Sequence, residues 1–333
     1  MAIDVSILIV SYNTRDMTVA CIQSVLDQTK VVSYELIVVD NLSKDGSAEA
    51  IAAAFPADRF PQIKLIVAEK NLGFAGANNL AGELATGEFI LLLNPDTLIL
   101  DGAIDKVVMF TREHPKAGIV GGRTYFGDMR LNPNSCHGKP TPWSLFCMGF
   151  GLSSLFRRNR LLDPESLGHW ERDTVREVDA VTGCFLLIRA DLWRELGGFD
   201  LTFFMYSEDT DLCLRGWKAG YTCLICPDAR LIHYGGQSEK IKPDKFVRLF
   251  RAKVQLFQKH WPQGFINYGV KMLELWAGTR TIGSWVRQLI QPGRRNAFLS
   301  WREVWRRRRE FRPSQPSPAV ATGAVSVVAT VPK

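Results

Sequence analysis

The sequence predicts an α/β protein, a mostly parallel sheet with flanking helices, followed by a basic helical extension. Three observations carry this. Apolar runs at 5–10, 35–40, 63–68 and Phe89–Leu93 alternate with helical patterns, and such alternation builds parallel βαβ units. The last run, Phe89-Ile90-Leu91-Leu92-Leu93, is uninterruptedly apolar, as a strand covered on both faces must be. Charge is also divided. Residues 251–312 hold fourteen Lys/Arg against three acids, within a chain of net charge +7, so a mildly acidic body carries a strongly basic C-terminal segment.

The 333 residues, 46% hydrophobic and 23% charged, suffice for a globular core. Helices are expected at 14–28, 47–55, 74–85 and 101–113, with a short fifth strand at 119–120. Proline-rich residues 123–175 read as long loops, partly mobile over a cleft. An apolar strand at 178–188 is broken by Thr182-Gly183-Cys184. A helix over Ala190–Leu196 ends at Gly197-Gly198, a C-cap pattern, and another opens at Glu208. A strand near 222–225 leads to Ile232-His233-Tyr234-Gly235-Gly236. The remainder is helical at 246–260 and 265–289, broken at Trp261-Pro262 and Pro292-Gly293, and the Pro/Ala/Thr/Val tail at 313–333 reads as disordered.

No secretory signal is expected, since Asp4 interrupts the apolar N-terminus, and no apolar run reaches the roughly 18 residues of a membrane span. Seven scattered cysteines read as reduced thiols. The lone Cys223-x-x-Cys226 reads as a strand end, because no second pair stands at zinc-site spacing.

Right-handed crossovers put the carboxyl ends of parallel strands on one rim, where open α/β sheets bind ligands. Those ends read Ser11-Tyr12-Asn13, then Asp40-Asn41, then Asn71-Leu72-Gly73-Phe74 with Asn78 and Asn79 one turn on, then Asn94-Pro95-Asp96. Pro95 ends the fourth strand because it cannot donate to a ladder. Alone, Asn94-Pro95-Asp96 is an Asx-type turn at least as readily as a holder of a metal–diphosphate. Four convergent ends of this kind make a binding cleft. Glu208-Asp209-Thr210-Asp211 places three acids in a helix's first turn. The macrodipole favours that, but three carboxylates exceed what capping requires. His233 after a strand reads equally as a structural residue or a ligand. Phe298, Trp301 and Trp305 share one face of a helix with arginines on the others. That pattern suits a helix lying in an anionic leaflet or one packed on the core with a solvated arginine face.

The stretches Ser6-Ile7-Leu8-Ile9-Val10-Ser11-Tyr12-Asn13, Val38-Val39-Asp40-Asn41, Asn71-Leu72-Gly73-Phe74, Leu92-Leu93-Asn94-Pro95-Asp96, Thr182-Gly183-Cys184, Gly197-Gly198-Phe199-Asp200, Glu208-Asp209-Thr210-Asp211 and His233-Tyr234-Gly235-Gly236 together resemble the family 2 glycosyltransferases of the GT-A fold, in their rhamnosyltransferase-like branch. The resemblance covers residues 4–238. It implies a domain at 1–240, with a nucleotide-sugar half at 1–122 and an acceptor and catalytic half at 123–240, then basic helices at 241–312. Donor binding would fall to Ser11, Tyr12, Asn13, Asp40, Asn71, Gly73, Asn78, Asn94 and Asp96, with Asp40 reading the pyrimidine edge. Asp209 would be the general base, with Thr182, Gly183, Glu208 and Asp211 on the acceptor side. Asp96 and His233 would hold Mn²⁺ or Mg²⁺. Asn94 stands where relatives carry the first Asp of a D-x-D motif, which removes one anionic ligand.

The implied reaction is inverting transfer of rhamnose from dTDP-rhamnose, or of a sugar from UDP-galactofuranose or UDP-GlcNAc, to a glycan or lipid-linked saccharide in cell-envelope polysaccharide synthesis. It would take place in the cytoplasm at the inner face of the membrane, docked on anionic lipid through the basic helices, with the oligomeric state left open. A dinucleotide-dependent dehydrogenase does not fit, because no G-x-G-x-x-G follows the first strand. A nucleotidyltransferase lacks its basic Gly-rich loop after Val10. Nucleic acid is not expected as a partner, because the basic charge lies on an aromatic-faced helix and on no recognisable binding fold. The rival from another class is a non-catalytic glycosyltransferase-like protein that docks on membranes.

Overall fold

The computed structural model describes residues 2–235, 242–291, 293 and 295–312. The expected disorder at 313–333, Gly236 and the break at Pro292 lie outside them. In chain order the elements are β1 (Val5–Ser11), α1 (Arg15–Gln28), β2 (Tyr34–Asp40), α2 (Ser47–Ala54), β3 (Ile63–Val67), α3 (Gly73–Glu83), β4 (Phe89–Leu93), β5 (Thr97–Ile99), α4 (Ala103–Glu113) and β6 (Ala117–Tyr125). There follow β7 (Cys136–His137), α5 (Pro142–Gly149), α6 (Leu152–Leu155), β8 (Arg176–Glu177), β9 (Ala180–Val181), β10 (Phe185–Arg189), α7 (Ala190–Leu196), α8 (Glu208–Lys218) and β11 (Thr222–His233). The C-terminal helices are α9 (Lys242–His260), α10 (Gln263–Ile290) and α11 (Arg295–Arg306).

Among the described residues the main sheet has the order β3-β2-β1-β4-β10-β6-β11-β5, with β8 paired to β11. β1 to β4 are mutually parallel where they pair. The apolar runs sort themselves by their period of two. Phe89, Leu91 and Leu93 of β4 enter one core layer with Ile7 and Ile9 of β1. Ile90 and Leu92 enter the opposite layer with Leu8 and Val10. All five β4 residues are buried, which is why the run contains no polar residue.

Among the described residues three strands of the main sheet depart from the parallel order: β5 and β8 pair antiparallel with β11, and β10 is antiparallel in the middle of the sheet. β10 lies between β4 and β6, with Phe185 opposite Leu93 and Leu187 opposite Val120. Its amino end therefore lies on the rim where β1, β2 and β4 present their carboxyl ends. The apolar stretch at 178–188 is two strands, because Thr182-Gly183-Cys184 forms a rim turn between β9 and β10. The fifth strand expected at 119–120 runs over nine residues as β6. The strand expected near 222–225 continues to His233, through a register shift between Ile225 and Arg230. The short β5 pairs with the end of β11, setting Thr97 opposite His233. The expected long loops at 123–175 contain α5 and α6; α5 opens at Thr141 with a reciprocal capping box and Pro142 at its first turn.

The C-terminal helices build a third apolar cluster with Leu145 of α5, in which Phe250, Phe257, Leu273, Val304 and Phe311 are buried. Trp301 packs on Phe246 and Trp276, with ring centroids 4.4 and 5.7 Å apart. Trp305 lies against Gly278, where an added Cβ would come within 3.1 Å of the indole. The Trp301 and Trp305 face expected to enter a lipid leaflet is thus turned onto α9 and α10. Among the described residues no helix is long and apolar enough to cross a membrane.

Truncation of Phe250, fully buried against Trp276 and Phe311, should cost about 3–5 kcal/mol. Urea denaturation of Phe250→Ala would show it as a lower midpoint.

Candidate active site

The rim opens into a cleft of about 900 Å³. One wall is formed by Tyr12, Asn41, Asn71, Phe74, Asn94 and Asp96 from the strand ends, and His233 closes it from the end of β11. The other wall comes from Thr182 and Gly183, from the segment leading into α8, from the α5 region, and from α9 through Lys245, Arg248, Leu249 and Lys253.

Asp209 is the best-held carboxylate in the cleft. Its Oδ2 accepts from the Gly183 N–H at 3.0 Å, and its Oδ1 accepts from the Thr210 N–H at 2.6 Å. The Thr210 hydroxyl lies 3.3 Å from His137 Nε2 and 3.2 Å from Asp209 Oδ1, which links His137 to the carboxylate. Two consecutive residues with left-handed backbone, Tyr206 (φ 72°) and Ser207 (φ 65°), deliver the chain into α8. Such strain in non-glycine residues is found mainly where the surroundings enforce it, often at functional sites. The same segment is pinned to α3 by the Phe74 N–H bonding to the Phe204 carbonyl at 2.9 Å. Gly73 at φ 72° permits that approach, since a Cβ would collide with the Phe204 carbonyl oxygen.

The neighbouring acids divide by helical geometry, because residues two apart on a helix point about 200° away from each other. Asp211 does not reach the cleft. It is fully buried and is met by Arg215 Nε, Lys259 Nζ and His260 Nε2, each at 2.8 Å. Burial opposes its charge, but His260, Lys259 and Arg215 outweigh it and hold the carboxyl below the usual range. Asp211 thereby anchors α9 to α8. Glu208 is buried in the cleft wall, and its Oε2 has no partner among the described residues. Burial, reinforced by the Asp209 charge, pushes its carboxyl well above the usual range.

On the donor side, Asp40 is buried at the end of β2. Its Oδ1 accepts from the Ser43 N–H at 2.9 Å, whereas Oδ2 has no partner among the described residues. Asn71 Oδ1 accepts from Asn41 Nδ2 and the Gly73 N–H. Three expected donor residues turn to other tasks. Ser11 is buried against Thr14 and Thr18. Asn13 bonds the Ser43–Lys44 turn. Asn78 donates to the Phe74 carbonyl inside α3. Thr182 hydroxyl bonds to the Asn134 carbonyl at 2.8 Å, fixing the rim turn.

Asp96 and His233 are brought together, with Nε2 3.4 Å from Oδ1 and 3.5 Å from the Asn94 side-chain nitrogen. His233 Nδ1 is buried with no partner among the described residues. Burial works against a charge on this imidazole, but the neighbouring Cys184 sulfur and the Asp96 carboxylate outweigh it and raise its pKa to about 10. Among the described residues no three His, Cys, Asp or Glu side chains gather as a complete metal cage. Asp96 and His233 Nε2 side by side fit an ion whose remaining ligands come from a bound diphosphate. The seven cysteines are free and buried. Cleft residues that sequence reasoning did not single out are His137, Glu165, Phe204, Tyr206 and the α9 residues Lys245, Arg248 and Lys253; none of them stands at an expected strand end or in a motif that would have marked it.

A parallel βαβ rim joined by an antiparallel strand, whose leading turn bonds to a carboxylate at the start of the next long helix, is the architecture of a GT-A glycosyltransferase. Residues 6–190 match glycosyl transferase family 2, and residues 171–302 match glycosyl transferase family group 2. The chain belongs to glycosyl transferase family 2, and it is a glycosyltransferase. It is 25% identical over 249 residues to N-acetylglucosaminyl-diphospho-decaprenol L-rhamnosyltransferase of Mycobacterium tuberculosis, covering 67% of this chain and 73% of that protein. An uncharacterized protein of Sinorhizobium fredii is 27% identical over 77% of this chain, which spans only 27% of its length. The O-antigen biosynthesis protein RfbC of Myxococcus xanthus is 24% identical over 71% of this chain and 18% of its own. Among solved structures, the mannosyltransferase PcManGT of Pyrobaculum calidifontis with GDP-Man and Mn²⁺ superposes with a TM-score of 0.55 at 16% identity, covering 92% of this chain and 84% of that one. S. aureus TarS 1-349 with UDP-GlcNAc gives 0.52 at 15% identity, covering 94% and 93%. At these identities the structures show a shared fold.

The raised Glu208 pKa has a sign. The folded state holds that proton more tightly than the unfolded chain, so the contribution is complete below the ordinary carboxylate range and is lost as pH rises. Glu208→Gln should therefore melt higher than the parent at pH 8, with the gap closing towards pH 4. A pH series of thermal melts checks it; equal melting temperatures across the series would refute a buried protonated Glu208.

Proposed function

We propose that the protein is an inverting glycosyltransferase that moves rhamnose from dTDP-rhamnose to a glycan or lipid-linked saccharide in cell-envelope polysaccharide synthesis. The observation that carries the chemistry is Asp209, oriented by Gly183 and Thr210 in the cleft that Asp96 and His233 also line. The acceptor hydroxyl attacks the anomeric carbon while Asp209 accepts its proton. The anomeric C–O bond to the diphosphate breaks, and the nucleoside diphosphate leaves with that electron pair. A divalent cation, Mn²⁺ or Mg²⁺, between Asp96, His233 and the diphosphate would neutralise the charge developing on the leaving group.

The nucleotide assignment is supported by Asp40, whose unpartnered buried Oδ2 suits the N3–H of thymine or uracil. The acceptor assignment is supported by the cations that α9 brings to the cleft wall, Lys245 and Arg248, with Lys253 beside them paired to Glu165, a basic wall that suits the phosphates of a lipid-linked saccharide. The rhamnosyltransferase name of the Mycobacterium tuberculosis relative supports the sugar.

Nucleoside diphosphate release, measured with dTDP-rhamnose, UDP-galactofuranose, UDP-GlcNAc and GDP-mannose in the presence of Mn²⁺, tests the proposal. dTDP-rhamnose should turn over fastest when acceptor is supplied. Asp209→Asn should lower kcat by about 10²–10⁴-fold while a thermal shift with donor persists. Turnover by Asp209→Asn at the parent rate, or no turnover with any donor, would refute it. Asp40→Ala should weaken donor binding by about ten- to a hundredfold, the worth of a hydrogen bond to a charged group, read by calorimetric titration with dTDP.

A further inference from the structure

The face of α10 that α5 covers does not end where α5 ends. Met272 and Leu275 lie against Gly149, and the Thr279 hydroxyl bonds to the Gly149 carbonyl at 3.2 Å. At about 100° per residue the same stripe continues through Ile282, Trp285, Val286, Leu289 and Ile290, at i, i+3, i+4, i+7 and i+8. Among the described residues little covers it: Ile282 is 63% exposed, Leu289 62% and Ile290 75%. Beside it, past the Arg280–Ser154 hydrogen bond at 2.9 Å, the α6 turn exposes Leu155 (76%) and Phe156 (48%). Isolated apolar side chains on a surface need no explanation, but a contiguous patch on two elements does.

We propose that this ridge, the free end of α10 together with the α6 turn, is where the protein docks on an anionic lipid bilayer. The occupant follows from charge. Arg157, Arg158 and Arg160 follow the α6 turn and are exposed, Arg158 within reach of Glu171, and Arg287 stands beside the α10 stripe. Burial and the charges of Arg157 and Arg287 lower the pKa of Arg280, so these guanidiniums crowd one side of the ridge. Apolar side chains flanked by arginines match the boundary between acyl chains and anionic headgroups. A second copy of the chain is disfavoured, because a two-fold contact through this patch would set arginine against arginine. The ridge is also continuous with the cleft, since Met148 and Ser153 of the α5–α6 segment line it. A lipid-linked acceptor could therefore reach the site without leaving the leaflet. Vesicle binding is independent of which sugar is moved and is read without turnover.

Flotation of the full chain with phosphatidylcholine vesicles, with and without phosphatidylglycerol, tests this. The protein should float with the anionic vesicles, less so as salt is raised. Leu289→Ser/Ile290→Ser should bind about tenfold more weakly, having lost two inserting side chains, with an unchanged thermal melt. Arg287→Glu should weaken binding at low salt while leaving that melt unchanged. Failure to float with anionic vesicles, flotation of both variants like the parent, or a dimer that the Leu289/Ile290 variant dissolves in the absence of vesicle binding would each overturn the assignment.

Discussion

The hydrogen bond from the Gly183 amide to Asp209 joins the two halves of the site, and it exists because β10 runs against its neighbours. A parallel strand at that position would have begun at the far edge of the sheet and carried Gly183 away from the rim. Inserted antiparallel between β4 and β6, β10 starts where β4 stops, so Gly183 and Asn94 meet across one rim; the Asn94 N–H bonds to the Cys184 carbonyl at 3.1 Å. The ladder that sets the register of the core therefore also sets the separation between donor-side and base-side groups. Displacing Asp209 would require moving strands packed on both faces, which close-packed interiors resist.

The same helix start serves a second purpose. Asp209 faces the cleft, and Asp211, turned about 200° from it, faces α9. Its cluster with Arg215, Lys259 and His260 is buried. Clusters of that kind contribute little net stability but are costly to break. Here the cluster fixes where α9 lies, and α9 carries Lys245, Arg248 and Lys253 into the cleft wall. The basic C-terminal region is thus part of the cleft, and its aromatic residues form the core that holds α9 in place.

The four parallel strands, their helices and the rim residues Asp40, Asn71, Asp96, Asp209 and His233 were legible because two kinds of signal agreed, apolar period and the polar residues that end each run. What was not legible had no such pairing. β5 is three residues long, and a single His137 in the two-residue strand β7 carries no pattern. Ser11 and Asn78 have the right chemistry in the right motif, yet which way a short polar side chain turns depends on neighbours such as Thr18 and Phe74. The amphipathic stripe of Trp301 and Trp305 showed that this face meets something apolar. Lipid and protein interior look alike to such a stripe, so only the packing of Trp301 on Phe246 and Trp276 decided between them.

Asn94 then acquires a physical role in the proposed reaction. With a second Asp in that position, the site would hold two anionic oxygens and could bind a cation before any donor arrived. With Asn94, Asp96 is the lone carboxylate beside His233, so a cation meets less attraction there than two carboxylates would give it. The diphosphate brings the missing negative charge with it. Ion and nucleotide sugar would thus each raise the other's affinity, and by the same factor, since linkage is reciprocal. An enzyme of this construction assembles its electrostatic machinery only around a bound donor. That requires a cleft whose walls are already in place, as the rim turn at Thr182-Gly183-Cys184 and the pinned segment before α8 provide.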